Sequence, residues 1–248
     1  MSITGNPYVF IGFVNMVGLH NFVKSVLLYR AGREKYLTML KVIFNASITA
    51  YYLIELLYVT NDLSLDECKK ISYAQIIFSY LMMQSLAAYM FNLIKQYEYN
   101  KFDMWISIGL LVLRAGFHIA YIFSINPHIN ALFNSNDQII NLSFCNNGIE
   151  SGRNQSMNLV MVDLFIDAYV MVRLMQILHK SSSFKNRSFN IFTLVTYWNL
   201  MTVLVALWYH MLMGLNNFEY SQSYDVIAKQ ASLIILSYLV TIETEKRR

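Results

Sequence analysis

Tyr224-Asp225-Val226-Ile227-Ala228-Lys229 sits inside an apolar stretch running from Ser221 to Ile242. A lysine in the middle of a membrane-length helix costs roughly 3 kcal/mol on insertion scales. That cost is tolerated when the amine is partnered or chemically modified. Asp225 lies four residues earlier, so both side chains fall on one helical face, one turn apart. A carboxylate there can hold a buried cation, and a lysine amine forms Schiff bases with aldehydes. From these residues alone, a plain intramembrane ion pair and an attachment point both stay open.

The rest of the chain has the composition that such a helix needs. Its 248 residues are 56% apolar and 14% charged, with two prolines. This is the profile of an all-α, polytopic membrane protein and not of a soluble domain around one core. Seven apolar stretches have spanning length: Tyr8–Tyr29, Tyr36–Val59, Ile71–Ile94, Met104–Phe123, Leu159–Ile177, Phe189–Leu215 and Ser221–Ile242. The reading therefore expects a single seven-transmembrane-helix domain over residues 1–248. The first stretch lacks a basic flank before it and a small-residue cleavage site after it, so it is read as a retained helix. After Ile242 only a charged tail is expected.

Lysine and arginine set the expected orientation. Arg30, Arg33, Lys35 and Lys41 flank the first connection, Lys95 and Lys101 the third, and Lys180, Lys185 and Arg187 the fifth. Lys246, Arg247 and Arg248 follow the last span, while the opposite side carries Lys69, Lys70 and Arg153. The N-terminus is thus expected outside and the C-terminus inside, in a multi-pass protein of the plasma membrane. The formal charge of +4 is this asymmetry and argues for no nucleic-acid partner. The lipid bilayer and small inorganic ions are the expected partners, and a homo-oligomer is compatible with them.

Cys68 and Cys145 both fall on the expected outer side, where an oxidising environment permits a disulfide. Such a bridge would tie the long extracellular loop, residues 126–158, to the start of the third span. Asn141-Leu-Ser143 and Asn154-Gln-Ser156 are glycosylation sequons in that loop. Glu55, in the outer part of the second span, is a lone intramembrane carboxylate. It reads either as part of an ion path or as a protonated group bonded to a neighbouring helix. Arg114 of the fourth span and Asp163 and Asp167 of the fifth form a second charged set. Antiparallel neighbours would set Arg114 opposite Asp167 and His118 opposite Asp163, as structural ion pairs. No Gly-rich phosphate loop, nucleophile elbow or Cys/His metal spacing is present, so no enzyme and no metal site are expected.

Together these features resemble the microbial (type I) rhodopsin family, as a divergent member. Asp225-Val-Ile-Ala-Lys229 is similar to that family's aspartate, three residues and retinal-bearing lysine in the seventh helix. Tyr73-Ala74-Gln75 with Ser79 resembles its third-helix stretch around the primary counterion, and Thr49-Ala-Tyr51 its second helix. The resemblance implies all-trans retinal bound to Lys229 as a Schiff base, with Asp225 as counterion. It further implies a pocket formed by Gln75, Ser79, Tyr51, Phe78, Trp208 and Tyr209. The chain departs from the family pattern at Gln75, where pumps have a carboxylate, at Ser72 in place of arginine, and at Leu86 in place of the proton donor. Ile76 and Leu204 replace tryptophans, and Trp208 occupies the usual proline position.

Glutamine hydrogen-bonds but accepts no proton, so the resemblance implies no proton pump. It implies a light-gated ion channel, with anions favoured because fixed negative charge beside the site is reduced. The alternatives are a photosensory receptor signalling to a partner and a seven-helix membrane protein without a chromophore.

Overall fold

The computed structural model describes residues 7–31, 35–60, 64–98, 100–133, 139–146, 153–182, 191–216 and 223–242. Its side-chain detail is confined to 9–31, 35–57, 64–98, 100–127, 153–180, 197–215 and 227–242. Seven helices fill these segments: α1 (Pro7–Arg30), α2 (Lys35–Thr60), α3 (Leu65–Tyr97), α4 (Lys101–Ser124), α5 (Arg153–Ser182), α6 (Ile191–Asn216) and α7 (Ser223–Thr241). Each packs on the next, and α1 packs on α7, closing a ring. Inside the ring α3 also reaches α5, and α2 touches α7.

Five of the helices (α1, α2, α3, α4 and α6) are long and apolar enough to cross a membrane. The surface agrees with that reading. Large apolar side chains point outward, among them Met16 at 71% exposed, Trp105 at 68% and Phe123 at 85%. Asn21, Asn45, Arg114, Asp163, Asp167 and His210 are buried instead. A water-soluble bundle hides its apolar faces, whereas a bundle in lipid turns them out and keeps its polar groups for one another. The chain is an integral, multi-pass membrane protein. α5 falls short of the same test because Asp163, Asp167 and Arg173 interrupt its apolar run, and all three have partners inside the bundle.

α3 organises the ring. It has 33 residues, about 50 Å at 1.5 Å per residue, against about 30 Å of hydrocarbon. It therefore extends beyond the expected span Ile71–Ile94 at both ends. A capping box starts it: Glu67 N–H donates to Ser64 Oγ, and Ser64 N–H donates to the Glu67 carboxylate at 2.9 Å. These bonds from Ser64 hold the exposed Glu67 carboxyl below its usual range. Met82, Leu86, Tyr89, Met90 and Leu93 of α3 are fully buried, in one cluster with Val203 and Ala206 of α6 and Leu233 and Leu236 of α7.

The chain is the all-α bundle expected, with one small element added to it. Between α4 and α5, β1 (His128–Phe133) and β2 (Ile139–Asn146) form an antiparallel hairpin, with an irregularity in register between Ala131 and Phe133. The physical cause is period-2 patterning, Ile129/Ala131/Phe133 and Ile140/Leu142/Phe144, hidden among asparagines and serines. The hairpin lies against α2 and α3. Cys68, at the start of α3, is wholly buried and disulfide-bonded. The one other cysteine, Cys145, lies in β2 opposite Ile129, and its side chain is outside the described residues.

Candidate functional site

α7 packs on α6 and α1, and more lightly on α2. Lys229 of α7 is partly buried, and among the described residues Glu55 of α2 is the charged group that acts on it. The relation is mutual, since Lys229 is the charge that acts on Glu55. They form no direct ion pair, and neither makes a hydrogen bond to a described residue. The Asp225 side chain, expected to be the partner, lies outside the described residues. Two buried tyrosines feel the Glu55 charge: Tyr52 of α2 and Tyr209 of α6. The site is thus an amine and a carboxylate held apart between α2 and α7, with phenols from α2 and α6 beside them.

The residues expected to build a pocket here divide into three groups. Tyr209 is buried as expected. Tyr51 is half-buried and meets the edge of Tyr52, with centroids 5.1 Å apart at 74°, so Tyr52 is the tyrosine that reaches the interior. Gln75 is buried, and Ser79 and Phe78 are half-buried, but no hydrogen bond joins Gln75 or Ser79 to Lys229. Trp208 is 55% exposed and faces out of the bundle, so it cannot wall a pocket. The helical period dictates this: Val203, Ala206, Tyr209 and His210 take the buried stripe of α6, which leaves Trp208 on the opposite face.

A second site lies between α3, α4, α5 and α6. Arg114 Nε donates to Asp163 Oδ1 at 2.6 Å, its Nη2 to Asp163 Oδ2 at 3.3 Å, and its Nη1 to Gln84 Oε1 at 3.2 Å. This corrects the expected pairing of Arg114 with Asp167, because α4 and α5 meet about one turn out of the assumed register. Asp167 bonds instead to Nδ1 of His210 on α6, at 2.6 Å. His210 Nε2 is also 3.9 Å from Asp163 Oδ2. The expected pairing of His118 with Asp163 is not made. His118 stacks on Tyr80, with centroids 4.7 Å apart, and Tyr80 also lies under the Arg114 guanidinium at 6.0 Å.

Two further sets were not expected from sequence. Asn45 of α2 is a hub: its Nδ2 donates to Ser25 of α1 at 3.1 Å and to Thr241 of α7 at 2.9 Å, while its Oδ1 accepts from Ser237 at 2.7 Å. Asn21 of α1 donates to Ser237 at 2.8 Å, so three helices share one satisfied network. At the end of the bundle away from the hairpin, Arg173 of α5 holds Asp103 of α4 at 2.6 Å. Lys180 holds Glu98, just past α3, at 2.9 Å. That hydrogen bond keeps the Glu98 carboxyl below its usual range. Beside these pairs a cavity of about 210 Å³ opens between α3 and α4, lined by Phe91, Ile94, Lys95, Met104, Ser107 and Leu111 among others. Lys41, counted above among the flanking charges, is buried with its amine 5.9 Å from the Tyr89 ring centroid.

Among the described residues no group of three or more His, Cys, Asp or Glu side chains is arranged to hold a metal ion. No protein-family model matches the chain, and no curated protein matches it in sequence.

Proposed function

We propose that the chain is a seven-span membrane sensor with its hairpin end outside, and that the ligand acts at Lys229. The asymmetry of lysine and arginine supports the orientation, and the closed ring of helices supports seven spans. The ligand that the sequence resemblance suggests is retinal, bound as an imine to Lys229. Glu55 joins Asp225 as a source of the negative charge that a protonated imine needs. One observation carries this reading: Lys229 is partly buried near a carboxylate, yet makes no hydrogen bond or ion pair with a described residue. An amine held this way is available for an aldehyde.

Below the site Met90, Leu93, Leu233 and Leu236 belong to one buried apolar cluster, and the polar groups beside it, Asn45, Ser25, Ser237 and Thr241, are bonded to one another; this packing favours sensing over ion conduction. Visible absorption of the purified protein with all-trans retinal, before and after hydroxylamine, tests attachment. Photocurrent whose reversal potential follows chloride would restore the channel.

A second reading is favoured by the outward-facing Trp208, which removes one aromatic wall from the pocket. In it Lys229 binds the carboxylate of a diffusible ligand, with no covalent bond and no chromophore. A site that gives no colour with retinal, but in which Lys229→Met abolishes binding of an acidic ligand, would decide for it.

A further inference from the structure

The charged cluster of α4, α5 and α6 takes no part in the site at Lys229, and its charges do not balance without one more proton. Arg114 is permanently cationic and is matched by Asp163 through two N–H donors. That leaves Asp167, wholly buried, bonded to His210, also buried, through Nδ1. A neutral imidazole against an ionised Asp167 would leave one uncompensated negative charge in the bundle, which a low-dielectric interior strongly disfavours. Two atoms at this joint, Asp167 Oδ1 and His210 Nε2, are buried with no hydrogen-bond partner among the described residues.

We propose that Asp167 and His210 form a proton-binding site, which holds one exchangeable proton in the bond that joins α5 to α6. With the proton bound the cluster is neutral: two positive and two negative charges cancel if it rests on the imidazole, one of each if it rests on the carboxyl. When it leaves to water or hydroxide, a neutral imidazole and a carboxylate remain, and the cluster carries a net charge of minus one. The groups whose charges act on His210 are Asp167 and Asp163 from α5 and Arg114 from α4. On its own helix Tyr209 meets the imidazole at 5.5 Å. α7, which also packs on α6, adds no charge to this set among the described residues. Tyr209, next in sequence to His210, feels the charges of Asp163, Glu55 and Arg114. The proton site stands whatever Lys229 binds.

The test is thermal unfolding of the full chain in lipid nanodiscs from about pH 5 to about pH 9. Wild type should lose stability as pH rises, because the proton is lost and the net charge appears. Asp167→Asn leaves Arg114 balanced by Asp163 with His210 neutral, so its unfolding temperature should lose that dependence. An equal slope in Asp167→Asn, or a flat wild type, overturns the proposal. Should Asp167→Asn not fold, proton spectra of wild type with nitrogen-labelled histidine decide. A far-downfield proton on a histidine nitrogen, absent in His210→Gln, supports a shared proton, and its absence from wild type overturns it.

Discussion

Arg114, Asp163, Asp167 and His210 are joined by direct bonds between α4, α5 and α6, whereas Lys229 of α7 and Glu55 of α2 act on one another's charge without one. Both sets place charge inside a membrane bundle. In the first, each charge is bonded directly to an opposite or polar partner, so removing one member strands another. In the second, the amine and the carboxylate act on one another's charge, but neither makes a hydrogen bond to a described residue. Directly bonded charge fixes helix positions, while charge held at a distance is suited to a ligand.

The sharpest way to break this contrast is Arg114→Met. It strands Asp163 and should cost about 3–5 kcal/mol, read as a lower unfolding temperature and a smaller folded fraction. A loss of less than about 1 kcal/mol would mean that the cluster is not holding α4 to α5. Asn45→Ala comes next. It leaves Ser237, Ser25 and Thr241 without their shared partner and should cost about 2 kcal/mol, measured the same way.

Lys229→Met should behave in the opposite manner. It removes a partly buried cation that makes no direct bond to a described residue, so stability should change by less than about 1 kcal/mol or rise slightly. Any absorption band that retinal produces should vanish. A loss as large as that of Arg114→Met would make Lys229 structural and erase the distinction between the two regions.

The smallest effect is expected at Glu98. Its carboxyl is held low by Lys180, so its contribution is full above the ordinary glutamate range and is lost as pH falls through the folded-state value. Acidification should therefore loosen the contact between the end of α3 and α5 in wild type. Glu98→Gln should lack that step, as read by hydrogen exchange near Lys180.

Much of the bundle was legible because hydrocarbon imposes a length and an apolarity that single stretches must meet alone. The helix positions followed from that, and so did the presence of charge at Glu55, Arg114, Asp163, Asp167 and Lys229. The hairpin was legible too, in the alternation of Ile140, Leu142 and Phe144, but the surrounding asparagines masked it. The outward turn of Trp208 could have been read from the Val203–Ala206–Tyr209 stripe. His210 gave no such signal, because one histidine in an apolar helix looks the same whether it packs or pairs.

The sequence by itself determined where helices form and which residues carry charge along them, since both depend on local composition. Partner choice belonged to the tertiary structure alone. A one-turn difference in the register of α4 against α5 moved Arg114 from Asp167 to Asp163 and left Asp167 to His210, and the packing of α2 against α7 brought Glu55 within electrostatic reach of Lys229. Register between helices is set by the packing of many side chains at once, and no short stretch of chain encodes it.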